Sequence, residues 1–243
     1  VVMVKSKSKV WFDVKNTIIN ILLEVLCPNR CQNCGAKGEV LCMRCKNYLN
    51  ATNPSYVVRQ KNDFEFVVVG GIKEGILSDL IKDYKYHSHR ELADILVRKV
   101  VEMFKVQIES EDEIILVPLP TTFAHIRERG FDHMKYLGFC LENELSNLGE
   151  GIIWKNKKIE MKMLLLRTNN KTQVGKSAEV RMKQAESAYA IKEGTEIDPK
   201  AIYVLFDDVW TTGASMMAAH CVLRRAGVKR IAALVIMSND YID

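Results

Sequence analysis

Residues 201–231 have the sequence AIYVLFDDVWTTGASMMAAHCVLRRAGVKRI, in which a hydrophobic run is followed by two adjacent carboxylates and a Thr-Thr-Gly turn. The run at 201–206 has the continuous apolar character of a strand that is buried on both faces. Residues 214–226 have the spacing of a helix, and Gly227 stands where a helix C-cap glycine belongs. The stretch therefore predicts a buried strand, a polar turn and a helix, in that order.

The alternation of strands and helices extends over the chain from residue 56 onward. The other predicted strands are 64–70, 113–120 and 230–237, and the other predicted helices are 76–85, 89–104 and 132–146. Continuous apolar strands that alternate with helices are typical of a mostly parallel sheet with helices on both faces. We therefore predict an α/β domain over residues 56–243.

The polar turn after the strand at 201–206 has the chemistry of a sugar-phosphate site. Unpaired N–H groups at the start of a helix attract anions. Hydroxyl groups that add donors around the same point come from Thr211, Thr212 and Ser215. Asp207 and Asp208 would repel a phosphate, but they can accept hydrogen bonds from a ribose diol or hold Mg²⁺. The pattern predicts a ribose 5-phosphate site; the alternative is a helix capped by Thr211 beside two solvated acids.

Four cysteines near the N-terminus form two C-x2-C pairs, Cys31 with Cys34 and Cys42 with Cys45. Two such pairs supply the four thiolates of a tetrahedral zinc site, and so small a segment needs a metal to fold. The pattern predicts a closed, structural zinc ribbon without chemistry at the metal. Disulfides or a thioredoxin-like redox pair are the alternatives, and Cys27 is a further thiol that could replace a ligand.

Residues 1–55 are predicted to form a separate N-terminal module, which comprises an amphipathic helix at 10–27 and the zinc ribbon. The chain has a net charge of +5, and residues 1–50 hold eight Lys and Arg against three Asp and Glu. This charge indicates a polyanionic partner, such as single-stranded DNA, or else a solubilising surface. No apolar run approaches the roughly 20 residues that span a bilayer, and no secretory signal is evident. We expect a cytoplasmic protein without stable membrane insertion.

The segment VLFDDVWTTGAS, residues 204–215, resembles the phosphoribosyl pyrophosphate (PRPP) binding motif of type I phosphoribosyltransferases. The resemblance implies the type I phosphoribosyltransferase fold and places the ribose hydroxyls of PRPP on Asp207 and Asp208. It places the 5-phosphate on the loop residues Thr211, Thr212, Gly213, Ala214 and Ser215.

Further segments resemble, in their order, the ComF family of competence-associated phosphoribosyltransferase-like proteins over about residues 27–237. They are the four-cysteine ribbon, KYHSHRELA, VPLPTTFAHIRERGFDH, LLLRTNNKTQ and SAEVRMKQAESAYAI. The chain departs from the family pattern where the usual Arg-Gly-Phe-Asn-Gln ends in Asp132 and His133, and where Gln184 replaces an Asn. Asp132 adds a negative charge where the family would bind pyrophosphate.

The resemblance implies that a nucleophile displaces pyrophosphate from C1 of PRPP, with Mg²⁺ bound to PRPP and catalysis by positioning and charge neutralisation. The implied catalytic residues are Asp207, Asp208, Arg127 and Arg129. The implied PRPP-binding set adds Lys85, Leu119, Pro120 and Thr121. Residues 167–184 have the polar, turn-rich composition of a mobile lid.

Two functions remain open on these grounds. The first is a phosphoribosyltransferase-like protein of DNA uptake, or natural transformation, which acts with other competence proteins on an acceptor that the motifs do not identify. The alternative is a competence factor that binds single-stranded DNA and for which PRPP is a regulatory or vestigial ligand without turnover.

Overall fold

The computed structural model describes residues 29–59, 63–86, 89–108, 113–147, 158–168 and 188–242. The predicted helix at 10–27, Cys27 and residues 169–184 of the predicted lid lie outside these ranges. Contacts between residues divide the chain into two compact units, Val1–Tyr48 and Leu49–Asp243. The module boundary placed after residue 55 stays a prediction.

The first unit contains the two cysteine pairs in a compact loop. Antiparallel pairing joins Arg30 to Lys37 across this loop. The N–H of Gly35 donates to the carbonyl oxygen of Cys31 at 2.8 Å, and φ of Gly35 is 72°, a left-handed conformation that glycine adopts without strain. Helix α1 (Met43–Thr52) begins directly after Cys42. The first C-x2-C pair is therefore followed by a sharp turn, whereas the second pair spans the start of α1.

The second unit alternates strands and helices as predicted. Its strands are β1 (Tyr56–Arg59), β2 (Phe66–Val69), β3 (Ile114–Pro118), β4 (Ile159–Met161), β5 (Leu165–Arg167), β6 (Tyr189–Ile191), β7 (Ile202–Trp210) and β8 (Arg230–Ser238). Its helices are α2 (Gly75–Tyr86), α3 (Leu92–Lys105), α4 (Phe123–Arg129), α5 (His133–Asn147) and α6 (Ala214–Arg225). None of the helices in the described part of the chain combines the length and the apolar composition needed to cross a lipid bilayer.

Six strands form one sheet in the order β1-β2-β8-β7-β3-β4, and β5 and β6 form a separate hairpin. Only β1 is antiparallel to its neighbour in the six-stranded sheet. From β3 the chain continues to β4 on one side, whereas from β7 it continues to β8 on the other. The winding therefore reverses between β3 and β7, and ligands of such sheets bind at the carboxyl ends of the strands that flank this reversal.

Both faces of the sheet are covered. Helix α6 and the β5–β6 hairpin pack on one face, over a buried cluster that includes Val117, Leu205 and Val235. Helices α3 and α5 pack on the other face, where the alternate side chains, such as Leu116 and Val204, are also buried. Burial on both faces explains the continuous apolar runs in the sequence. The predicted mostly parallel α/β fold with helices on both faces is confirmed.

Strand β7 is longer than the predicted strand at 201–206. It extends to Trp210 because its pairing with β8 continues until Trp210 lies opposite Ser238. Asp207 and Asp208 therefore lie inside a paired strand, not in the loop beyond it. Helix α4 was not predicted from the sequence; its first N–H groups are capped by Thr122, whose Oγ1 accepts from the N–H of His125 at 3.2 Å.

Candidate ligand site and metal centre

A cavity of about 180 Å³, here called the polar cavity, lies at the carboxyl ends of β3 and β7. The residues predicted for catalysis or PRPP binding that line it are Lys85, Leu119, Pro120, Thr121, Arg129, Asp207, Asp208 and Ser215. They come from four separate parts of the chain, which the reversal of the sheet brings to one place. Arg127 is exposed on α4 and, like residues 211–214, is not among the described residues that line the cavity.

The two carboxylates of β7 have different surroundings because successive side chains of a strand point to opposite faces. Asp208 is 6% exposed and shares the face of the sheet that packs on α3 and α5. Its Oδ2 lies 2.6 Å from Nζ of Lys85 and 2.9 Å from Nε2 of His133. Asp207 shares the opposite face with Leu205, and its Oδ1 accepts the N–H of Asp208 at 2.9 Å.

The different surroundings have opposite effects on the two carboxyl groups. Burial raises the pKa of Asp208, but the hydrogen bond from His133 and the charge of Lys85 outweigh burial, so the pKa is lowered. Burial and the negative charge of Asp208 raise the pKa of Asp207. Asp208 is therefore ionised at neutral pH, whereas the ionised form of Asp207 is disfavoured and gains from any new hydrogen-bond donor.

The hairpin supplies the wall next to Asp207. Tyr189 is buried and lines the polar cavity together with Ser215 at the start of α6. The guanidinium of Arg167 lies 5.8 Å from the centre of the Tyr189 ring. Arg167 thus adds a positive charge to this side of the cavity and partly offsets the charge of Asp207.

The turn between β7 and α6 requires glycine at one position. Gly213 has φ of 76°, and a Cβ atom there would lie 2.6 Å from the ring of Trp210. Helix α6 begins after Gly213 without a side-chain hydrogen bond at its cap, and Thr212 Oγ1 lies 3.4 Å from the N–H of Ala214. The first N–H groups of a helix have no acceptor within the helix, so this start is suited to bind an anion.

The segment after β3 forms the opposite wall. The N–H of Leu119 donates to the carbonyl oxygen of Phe206 at 2.8 Å, which fixes the segment against β7. Thr121 Oγ1 donates to Asp132 Oδ1 at 3.1 Å. The guanidinium of Arg129 lies over the ring of Tyr86, 5.2 Å from its centre, and Arg129 Nε is buried without a partner in the described residues. Arg129 lines the cavity and therefore has one buried N–H donor that no described residue satisfies.

A second, larger cavity adjoins the polar one and is here called the apolar cavity. It measures about 770 Å³ and shares Pro120, Thr121, Thr122 and Arg167 with the polar cavity. Most of its remaining lining is apolar, and the ring of Phe123 in that lining is 80% exposed. A charged ligand in the polar cavity would therefore have an apolar compartment next to it.

Sequence reasoning missed His133 and Tyr189 as members of the site. His133 appeared only as a departure from the ComF pattern, and Tyr189 belongs to a three-residue strand with no motif of its own. The position of His133 within that pattern was the one signal available. Tyr189 had none, because its role depends on the hairpin packing beside α6.

The four predicted metal ligands lie together in the first unit. The sulfur atoms of Cys31, Cys34, Cys42 and Cys45 are within 4.8 Å of one another. Cys34 Sγ and Cys42 Sγ are 3.7 Å apart, close to the distance of about 3.8 Å between corners of a tetrahedron with Zn–S bonds of about 2.3 Å. Asn33 Nδ2 donates to Cys45 Sγ at 3.2 Å and so supports one ligand from outside. The cluster fits a structural zinc ion with no open position.

Two proteins and a solved structure show similarity to this chain. No protein-family model matches it. Competence protein F of Haemophilus influenzae is 26% identical over 208 residues, which are 83% of this chain and 81% of that protein. Competence protein ComFC of Bacillus subtilis is 21% identical over 98% of this chain and 87% of that protein. A hypoxanthine phosphoribosyltransferase structure from Staphylococcus aureus has a TM-score of 0.37 and 9% identity, over 63% of this chain and 70% of that one.

The fold and the cysteine cluster define the class of protein: a mostly parallel α/β domain with a four-cysteine ribbon that fits zinc. Two proteins that are similar in sequence over more than four-fifths of this chain are named competence proteins. The resemblance to ComF-type competence proteins is therefore confirmed, at low identity.

We expect the purified protein to contain about one zinc ion per chain, since the four thiolates complete a tetrahedral site. Zinc released by a mercurial reagent and measured with a chromogenic chelator would give the stoichiometry. Cys31→Ser should lose the metal, whereas Cys221→Ser, which lies outside the cluster, should retain it. Equal zinc content in the two variants would contradict the assignment.

The carboxyl pair predicts a dependence of stability on pH. Folding raises the pKa of Asp207. The contribution of Asp207 to the free energy of unfolding is therefore complete at low pH and is lost as the pH rises through the raised pKa. Asp207→Asn should therefore raise the Tm at about pH 8 by about 2–4 °C, or about 1 kcal/mol. Asp208→Asn should lower the Tm, because Lys85 and His133 lose their anionic partner. Thermal unfolding of both variants and of wild type at several pH values tests these expectations. A Tm of Asp207→Asn below that of wild type at high pH would contradict the first one.

Proposed function

We propose that this protein binds PRPP in the polar cavity and transfers its phosphoribosyl group to an acceptor in the course of DNA uptake. One observation carries the proposal: a pair of carboxylates, a helix start without a side-chain cap and several cationic side chains converge at the reversal of the sheet. Each of these three features matches a different part of PRPP. Few other ligands of a small, strongly polar cavity would use all three features.

The sugar-phosphate end of PRPP would bind between β7 and α6. The 5-phosphate accepts hydrogen bonds from the first N–H groups of α6 and from the hydroxyl of Ser215. The ribose hydroxyls donate to Asp207 and Asp208. A hydroxyl donor would relieve the unfavourable charge of Asp207, so ligand binding uses free energy that the empty site stores in this carboxylate.

The pyrophosphate end would bind on the β3 side of the cavity. Lys85 and Arg129 provide positive charge, and the backbone of residues 119–121 lies at the same wall. Asp208 Oδ2 already accepts two donors, so the protein has little free carboxylate here with which to bind a metal. We therefore expect Mg²⁺ to enter with PRPP, where it neutralises the charge of the pyrophosphate as it leaves.

The acceptor would approach from the apolar cavity. This compartment adjoins the polar cavity through Thr121 and Arg167, and Phe123, Ile126 and Leu165 form much of its surface. Such a lining suits a flat, uncharged ring system better than a charged group. Transfer then requires that the nucleophilic atom of the acceptor reach C1 of the ribose while the pyrophosphate is held on the β3 side of the polar cavity.

The role in DNA uptake rests on the relatives, both of which are named competence proteins. The alternative function, a single-stranded DNA-binding factor with PRPP as a regulatory ligand, rests on the positive charge of residues 1–50. The two functions use different parts of the chain and can be tested separately.

Calorimetric titration of PRPP with Mg²⁺ tests the ligand. We expect wild type to bind, and Asp207→Asn combined with Asp208→Asn to lose at least about tenfold in affinity, because hydrogen bonds to two charged acceptors are removed. Asp79→Asn combined with Asp240→Asn removes the same charge at exposed positions and serves as the control. If wild type does not bind PRPP, the proposed function is wrong.

Binding of single-stranded DNA tests the alternative. Replacement of Lys5, Lys7 and Lys9 by Ala should reduce the slope of log K against log salt by about 2, since each phosphate contact contributes about 0.7 for a single strand. Fluorescence anisotropy of a labelled oligonucleotide at several salt concentrations measures this slope. An unchanged slope would show that these lysines do not contact DNA.

A further inference from the structure

His133 occupies an unusual place in the polar cavity. It is the first residue of α5 and lines the cavity, yet it is only 5% exposed. The hydroxyl of Tyr84 donates to its carbonyl oxygen at 2.7 Å from the interior side. The backbone of His133 is therefore fixed from behind, and both nitrogens of its ring contact side chains of the site.

The ring contacts two side chains of the proposed ligand site. Nε2 lies 2.9 Å from Asp208 Oδ2, and an ionised carboxylate can only accept, so Nε2 donates to Asp208. Arg129 Nη1 lies 2.9 Å from Nδ1 and 3.1 Å from Nε2, so the guanidinium lies against the ring and contacts both nitrogens. His133 is therefore hydrogen-bonded to Asp208 and packed against Arg129.

His133 contacts two groups of opposite charge that both line the polar cavity, Asp208 and Arg129. Among the described contacts, Arg129 and Asp208 form no ion pair with each other, and Asp208 is paired with Lys85 instead. The carboxylate assigned to the ribose and the guanidinium assigned to the pyrophosphate are therefore both in contact with one side chain.

We propose that His133 is a positioning residue for PRPP: its Nε2 holds Asp208 by a hydrogen bond and its ring supports the guanidinium of Arg129, so that each can bind its own part of the ligand. The inference rests on the proposed function, which it extends to a residue that contacts both ligand-binding groups. The side-chain amide of glutamine offers a donor for Asp208 and an acceptor for Arg129, and so could replace the ring.

The test compares two substitutions of different chemistry. His133→Leu has similar bulk but neither donor nor acceptor, and should weaken PRPP binding about 10- to 100-fold. His133→Gln keeps a donor and an acceptor, and should restore affinity close to that of wild type. Ribose 5-phosphate and inorganic pyrophosphate, titrated separately, should each bind more weakly to His133→Leu, because both Asp208 and Arg129 lose their support.

His220→Leu is the matched control. His220 is also buried, packs against Phe64 with the ring centres 4.7 Å apart, and is not among the described residues that line the polar cavity. A change in stability alone should affect this variant as well, whereas its affinity for PRPP should not change. His133→Asn, a shorter amide that cannot span both partners, replaces His133→Leu if the latter does not fold, and should also bind weakly.

The outcomes separate the two proposals. Absence of PRPP binding in wild type would overturn the proposed function and this inference together. PRPP binding in wild type with equal affinity in His133→Leu would overturn only the role of His133. A failure of His133→Gln to recover affinity would also overturn it, because the ring would then act through its shape and not through hydrogen bonding.

Discussion

The alternation of side chains along β7 is the constraint on which the site depends. The strand is paired with β3 as far as Phe206 and with β8 as far as Trp210, so its orientation is fixed up to and beyond the acid pair. Asp207 and Asp208 must therefore point to opposite faces of the sheet. One carboxylate meets Lys85 and His133, and the other meets the side that the hairpin covers. Two identical residues in adjacent positions thus differ in their surroundings and in how readily they ionise.

This asymmetry has an energetic consequence for the empty site. A buried carboxylate costs several kcal/mol unless charges and hydrogen bonds compensate it. Asp208 has that compensation from Lys85 and His133, whereas Asp207 has a backbone N–H and the more distant charges of Lys85 and Arg167. A ligand hydroxyl that donates to Asp207 removes part of this cost. The site therefore gains affinity from a carboxylate that lowers the stability of the protein without ligand.

The features that the sequence predicts well are local in the chain. The acid pair, the Thr-Thr-Gly turn and the cysteine pairs are each contained in a few consecutive residues, and the apolar runs follow from burial on both faces of the sheet. The features that it missed depend on contacts between distant residues. His133 and Asp208 are 75 residues apart, and the extension of β7 to Trp210 is decided by its pairing with β8. No periodicity within one segment carries that information.

The same pairing that orients the acids also determines the shape of the turn between β7 and α6. Trp210 ends β7 opposite Ser238, and its carbonyl oxygen accepts the N–H of Asn239 at 2.9 Å. The Trp210 ring fills the space that a Cβ of Gly213 would need, so the turn into α6 follows the position of the strand. The backbone of β7 thus fixes the acid pair and the start of α6 relative to each other. Lys85 and Arg129 instead reach the cavity on long side chains, so their positions depend on side-chain contacts, those of Lys85 with Asp208 and of Arg129 with His133.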